Sequence, residues 1–152
     1  MHTITTSIVV ECPVEEVFAF ATDARNNPLW QSTSGLRGAR QMPESPVGVG
    51  TQITEIWHIL GMTAQSTSEV TAYEPGRCYT RHLLSGSGPI TQGTHAFDAT
   101  ATGTQWTYTV LVQTDGTWST TEPVLAAHLK QTMEAGMAKA KALLEQRVVD
   151  KM

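Results

Sequence analysis

Two hydrophobic periods divide the chain. Ile4-Thr5-Thr6-Ser7-Ile8-Val9-Val10 is dense in β-branched residues and predicts a strand. Pro13 then stands where a first helical turn tolerates it, and Val14, Val17, Phe18 and Ala21 recur at helical spacing with Glu15 and Glu16 facing outward, which predicts a two-turn helix. Asp23 can cap a second short helix, which Asn26-Asn27-Pro28 is expected to break before Leu29 and Trp30. Residues 41–50, QMPESPVGVG, hold two prolines and two glycines and predict a loop.

From Thr51 to Asp115 the pattern changes to strands and turns. Leu60-Gly61, Glu74-Pro75-Gly76-Arg77, Ser85-Gly86-Ser87-Gly88-Pro89 and Ala101-Thr102-Gly103 punctuate five Thr-rich, β-branched or aromatic runs, the signature of antiparallel hairpins. Ser119-Thr120-Thr121-Glu122 has capping-box spacing, and Leu125, Leu129, Met133, Met137, Ala140 and Leu144 follow on one face of a long helix. The expected order is one strand, two short helices, about six strands and a C-terminal helix, an α+β protein. A sheet of about seven strands with a single long helix must curl around it to hide its apolar face. One helix cannot fill a strongly curved concave face, so a cavity between them is expected, closed at one end by the two short helices.

The motifs CPVEEVFAFATDARNNPLW, VGVGT at 47–51, EVTAYEPGR at 69–77, HAFDATATGTQWTYT at 95–109 and the closing helix LKQTMEAGMAKAKALLE follow one another across essentially the whole chain. In this order and spacing the chain resembles the helix-grip proteins of the SRPBCC superfamily, which include START lipid-binding domains, plant pathogenesis-related allergens and bacterial polyketide cyclase/dehydrase-like proteins. The resemblance implies a single START-like domain over residues 1–152 and a pocket for an apolar or amphipathic small molecule. It does not imply one reaction, because a shared fold hosts different activities.

Tight turns set which side chains share a face, since residues opposite each other on antiparallel strands point the same way. A two-residue loop at Leu60-Gly61 sets Trp57 opposite Ala64, Glu55 opposite Ser66 and Ile53 opposite Ser68. A turn centred on Pro75-Gly76 puts Ala72 on the side of Tyr79 and Val70 on the side of Arg81. A five-residue loop from Ser85 to Pro89 sets Arg81 opposite Gly93 and Tyr79 opposite His95. A two-residue loop at Ala101-Thr102 sets Phe97 opposite Trp106 and His95 opposite Tyr108.

One inward set follows: Ile53, Glu55, Trp57, Val70, Tyr79, Arg81, Leu83, His95, Phe97, Trp106, Tyr108 and Val110. A one-residue bulge would reverse a strand's parity and return its polar groups to solvent. Inside, Arg81 and Glu55 need partners or water, and either pair with each other or are completed by a ligand. Gly93 opposite Arg81 leaves room beside it.

Composition narrows the chemistry. The chain has 152 residues, enough for one core, with 40% hydrophobic and 16% charged residues, an ordinary folded balance. No apolar run approaches the roughly twenty residues that span a bilayer, and Met1-His2-Thr3 starts no signal peptide, so membrane insertion is not expected and the localisation is read as cytoplasmic. A net charge of −4 without a basic stripe argues against nucleic acid as a partner. Cys12 and Cys78 lack a C-x-x-C spacing and read as reduced thiols. The five histidines show no H-x-x-x-H spacing, so neither a metal nor another cofactor is expected. No G-x-S-x-G marks a nucleophile. A homodimer is left open.

Three functions remain. In the first, Trp57, Phe97, Trp106, Met133 and Met137 hold a hydrophobic, lipid- or polyketide-like molecule while Glu55, Tyr79, Arg81, His95 and Tyr108 orient its polar end. In the second, an aromatase/cyclase or dehydratase-type enzyme uses His95, Tyr79 or Tyr108 for proton transfer and Arg81 to steady an enolate oxygen. In the third, the groove receives a peptide or another protein.

Overall fold

The computed structural model describes residues 2–44, 46–87, 89–113 and 122–151. The first β-branched run forms β1, His2–Val10, which buries Ile4, Thr6 and Val10 on one face. Pro13 is the N-cap of α1, Val14–Thr22, whose Val17, Phe18, Phe20 and Ala21 are buried. Asp23 caps the short 3-10 turn Ala24–Asn26 by accepting the Arg25 backbone N–H at 3.0 Å. The expected break at Asn26-Asn27-Pro28 is instead a helix start. Pro28 sits in the first turn of α2, Asn27–Trp30, where no intrahelical partner exists for the N–H it lacks. Leu29 is exposed, whereas Trp30 is buried.

Strand β2, Leu36–Met42, is one the pattern does not announce. It begins the sheet edge, carries two arginines and a glycine, and extends into the segment expected to be loop, so Gln41 and Met42 are strand residues. The meander then runs through β3 (Gln52–Ile59), β4 (Met62–Glu74), β5 (Cys78–Gly86), β6 (Ile90–Ala99) and β7 (Thr104–Val112). All seven strands form one antiparallel sheet in the order β1-β7-β6-β5-β4-β3-β2.

Three of the four turns hold the expected register, with Trp57 opposite Ala64, Tyr79 opposite His95 and Phe97 opposite Trp106. The fourth differs. Glu74 pairs with Cys78, Tyr73 with Tyr79 and Ala72 with Thr80, and a register shift between Val70 and Ala72 then restores Val70 opposite Arg81. The turn is one residue longer than expected and a bulge at Thr71 compensates. Tyr73, not Ala72, therefore shares a face with Tyr79, and the two rings meet at 6.3 Å.

The long helix α3 spans Glu122–Lys151. The capping segment Ser119–Thr121 lies outside the described residues. Leu125, Leu129, Met133, Met137, Ala140 and Leu144 are all buried, as a single apolar face requires. The short helices wedge between α3 and the sheet. A Cβ on Gly136 would come within 2.6 Å of the Trp30 carbonyl oxygen, so glycine there is what allows α2 to approach α3 this closely. No helix of the described residues is long and apolar enough to cross a membrane.

Candidate functional site

The inward face carries an ion pair. Arg81 on β5 reaches diagonally across β4 to Glu55 on β3, with Nη1 3.1 Å from Oε1, and the same Nη1 donates to Ser68 Oγ of β4 at 3.1 Å. Asn27 of α2 donates from Nδ2 to the other Glu55 oxygen at 3.4 Å. The two charged side chains are 10% and 4% exposed, so pairing rather than solvent satisfies them. Burial works against the Arg81 charge, but Glu55 and the phenols outweigh it and raise its pKa. Of the two states open to these residues, they pair with each other.

His95 lies beside the pair. Its ring stacks on Tyr108 at 4.1 Å and 7°, and its Nδ1 accepts the Trp106 indole N–H at 3.0 Å. An indole nitrogen only donates, so Nδ1 carries no proton and the neutral ring holds it on Nε2. Burial, reinforced by the Arg81 charge, lowers the His95 pKa from its ordinary 6.5 to about 3. Burial likewise pushes Tyr79 up to about 12 and raises Tyr108 further. The room beside Gly93 is taken by the Tyr108 ring, whose Cε1 lies 3.4 Å from where a Cβ would stand.

A pH dependence follows. Because the folded ring resists protonation and the unfolded chain does not, the unfolded state binds the extra proton below about pH 6.5. Stability from this group is therefore complete above that value and falls on acidification, by up to about 1.4 kcal/mol per pH unit, until the folded ring also titrates. The His95 ring carbon shifts in an NMR titration should stay flat down to about pH 5. A midpoint near 6 would contradict the buried, indole-bonded ring.

Glu55, Trp57, Arg81, His95 and Tyr108 meet, together with Ser66 and Ser68, around a cavity of about 30 Å³ near Leu83 and Ile90. A cavity needs roughly 10–15 Å³ to hold one water, so this one has room for a water or two but not for a larger molecule. A smaller void of about 10 Å³ separates Trp30, Trp57 and Tyr108 from Leu129 and Met133 of α3.

The other sequence candidates sit elsewhere on the inward face. Tyr79 packs on Tyr73 and His95, Phe97 on Phe18 and Trp106, and Trp106 beneath His95, all in the close-packed core. Met137 lines neither space: it packs against β1, its sulfur accepting the Thr6 hydroxyl at 2.9 Å. Its place on the same helix face as Met133 hid this, because a face along a long helix passes over different strands.

Trp30 and Asn27 are the residues whose roles the pattern did not assign. Trp30 contacts His95, Trp106 and Tyr108 edge-on, with centroids at 6.1, 5.0 and 6.1 Å, and so packs onto the concave face. Its Nε1 and the Asn27 Oδ1 are buried without a hydrogen-bond partner among the described residues. Ser66 and Ser68 were legible from the register that placed them opposite Glu55 and Ile53. Among the described residues, no group of three or more His, Cys, Asp or Glu side chains is arranged to hold a metal ion.

A curved antiparallel sheet gripping a C-terminal helix, with polar groups set into the grip, defines a helix-grip protein of the SRPBCC superfamily. The chain belongs to the polyketide cyclase/dehydrase and lipid transport family, whose model matches residues 1–145. No curated protein sequence matches it. Among solved structures it is similar to TTHA0849 from Thermus thermophilus, with 11% identity, a TM-score of 0.78 and coverage of 96% of this chain and 99% of that one. It is also similar to the Zhui aromatase/cyclase from Streptomyces sp. R1128, at 13% identity and TM-score 0.74 over 97% and 95% of the two chains. A START superfamily protein from Mycobacterium smegmatis matches at 18% identity and TM-score 0.69 over 96% and 99%. At these identities the likeness carries the fold alone.

Proposed function

We propose that the protein binds a hydrophobic or amphipathic small molecule, lipid- or polyketide-like, between the curved sheet and α3. The observation that carries this reading is the Arg81–Glu55–Ser68 cluster beside His95 and Tyr108, set around a space that Trp57, Ile59, Leu83 and Ile90 also line. A buried ion pair is weak support for stability, since apolar residues of similar volume often do as well. Its cost is understandable where it orients a guest. Because the cavity is about 30 Å³, a larger guest enters by displacing side chains. Half-buried Leu83 and Ile90 beside the cavity, and the flexible Met133 behind Tyr108, suit that movement.

Binding is favoured over proton-transfer catalysis by the state of His95. A ring whose pKa is lowered to about 3 is a poor base near neutrality, and its Nδ1 is already engaged by Trp106. The phenols, raised by burial, keep their protons and so can donate to a guest but not take a proton from it. Native mass spectrometry of the purified protein should reveal a retained guest, and prolonged incubation should return it unchanged. A product formed by wild type and not by His95→Ala would instead favour the cyclase or dehydratase reading.

A further inference from the structure

We infer that the cavity selects a guest through an uncharged oxygen, such as a ketone, ester or lactone carbonyl, and discriminates against a carboxylate. The inference rests on the binding reading above and concerns the charge of the same site. Arg81 and Glu55 are 3.1 Å apart and nearly sealed from solvent, so each charge is already met. Asn27 holds the second carboxylate oxygen from α2, which ties Glu55 in place from outside the sheet. A guest anion could engage Arg81 only by standing against Glu55 or by displacing it. The first brings like charges together and the second strands a buried carboxylate, both costly. An ammonium would meet the mirror problem at Arg81.

What the cluster offers is hydrogen bonding without net charge. A guanidinium has five N–H donors, and the acceptors of Arg81 among the described residues, Glu55 and Ser68, both lie at Nη1. Donors therefore remain on Arg81 beside the cavity. The Tyr108 hydroxyl keeps its proton and adds another, and the neutral His95 ring contributes no charge. A carbonyl oxygen accepts from such donors and leaves the ion pair intact.

Two probes with the same alkyl chain test this: 2-undecanone and decanoate, which differ in bearing a methyl group or an oxygen anion on the carbonyl. Titration of the wild-type protein at neutral pH, followed by calorimetry and tryptophan fluorescence, should show the ketone binding at least about tenfold more tightly. Decanoate binding equally or more tightly would overturn the selectivity while leaving the binding reading in place. Binding of neither probe would overturn both. Glu55→Gln removes the counter-charge and frees Arg81 for a guest anion, so the ratio should shift toward decanoate by about tenfold or more. An unchanged ratio in a folded Glu55→Gln protein would remove Glu55 as the source of selectivity. Should that variant not fold, the wild-type ratio decides the matter alone.

Discussion

Replacing Arg81 by methionine should lower the unfolding free energy by about 3–5 kcal/mol, the usual cost of leaving one member of a buried ion pair without its partner. The loss arises at Glu55, which is 4% exposed and, among the described residues, keeps only the long contact from Asn27. Glu55→Leu should cost a similar amount for the converse reason. The double variant Glu55→Leu/Arg81→Met should recover most of the loss, because well-packed apolar residues of similar volume often match or exceed a buried pair. Urea unfolding of the four proteins completes a double-mutant cycle. Additive losses would show that the two side chains do not act as a unit.

Trp30→Ala should be nearly as severe. Truncating a buried tryptophan typically costs about 3–5 kcal/mol, partly for the lost contacts and partly for the void that remains. Trp30 is 1% exposed and supplies the apolar anchor of the four-residue helix α2, whose polar tie to the sheet is the long Asn27–Glu55 contact. Relief of its unpartnered Nε1 should hold the loss toward the lower end of that range. The void would join the spaces beside Tyr108, so added indole should bind the variant and raise its melting temperature. A loss below about 1 kcal/mol without rescue by indole would mean that α2 collapses to refill the space, and that Trp30 is not what keeps the cavity small.

The inward polar row was legible because parity along a strand is a local property. Side chains alternate with a period of two, so a turn of known length transmits the face of one strand to the next. Leu60-Gly61, the 85–89 loop and Ala101-Thr102 transmitted it correctly, which brings Glu55, Arg81, His95 and Tyr108 to one side. At Pro75-Gly76 the longer turn and the bulge at Thr71 cancelled, so Arg81 kept its face while Tyr73 replaced Ala72. Nothing in the local pattern signals such a pair of compensating irregularities, because the pairing that defines a bulge involves the partner strand.

The hydrophobic periods by themselves determined the meander, the long helix with its buried face and the side of the sheet on which the polar residues stand. The tertiary structure decided which of those residues touch. Arg81 and Glu55 are separated by a whole strand, and only the sheet's curvature and the reach of a guanidinium across Ser68 bring them within 3.1 Å. It also decided the cavity's size, since Trp30 and Tyr108 pack into a concavity that strand order alone would leave open. Periodicity records the direction of each side chain, whereas an enclosed volume is the small remainder after many side chains from distant segments have packed together.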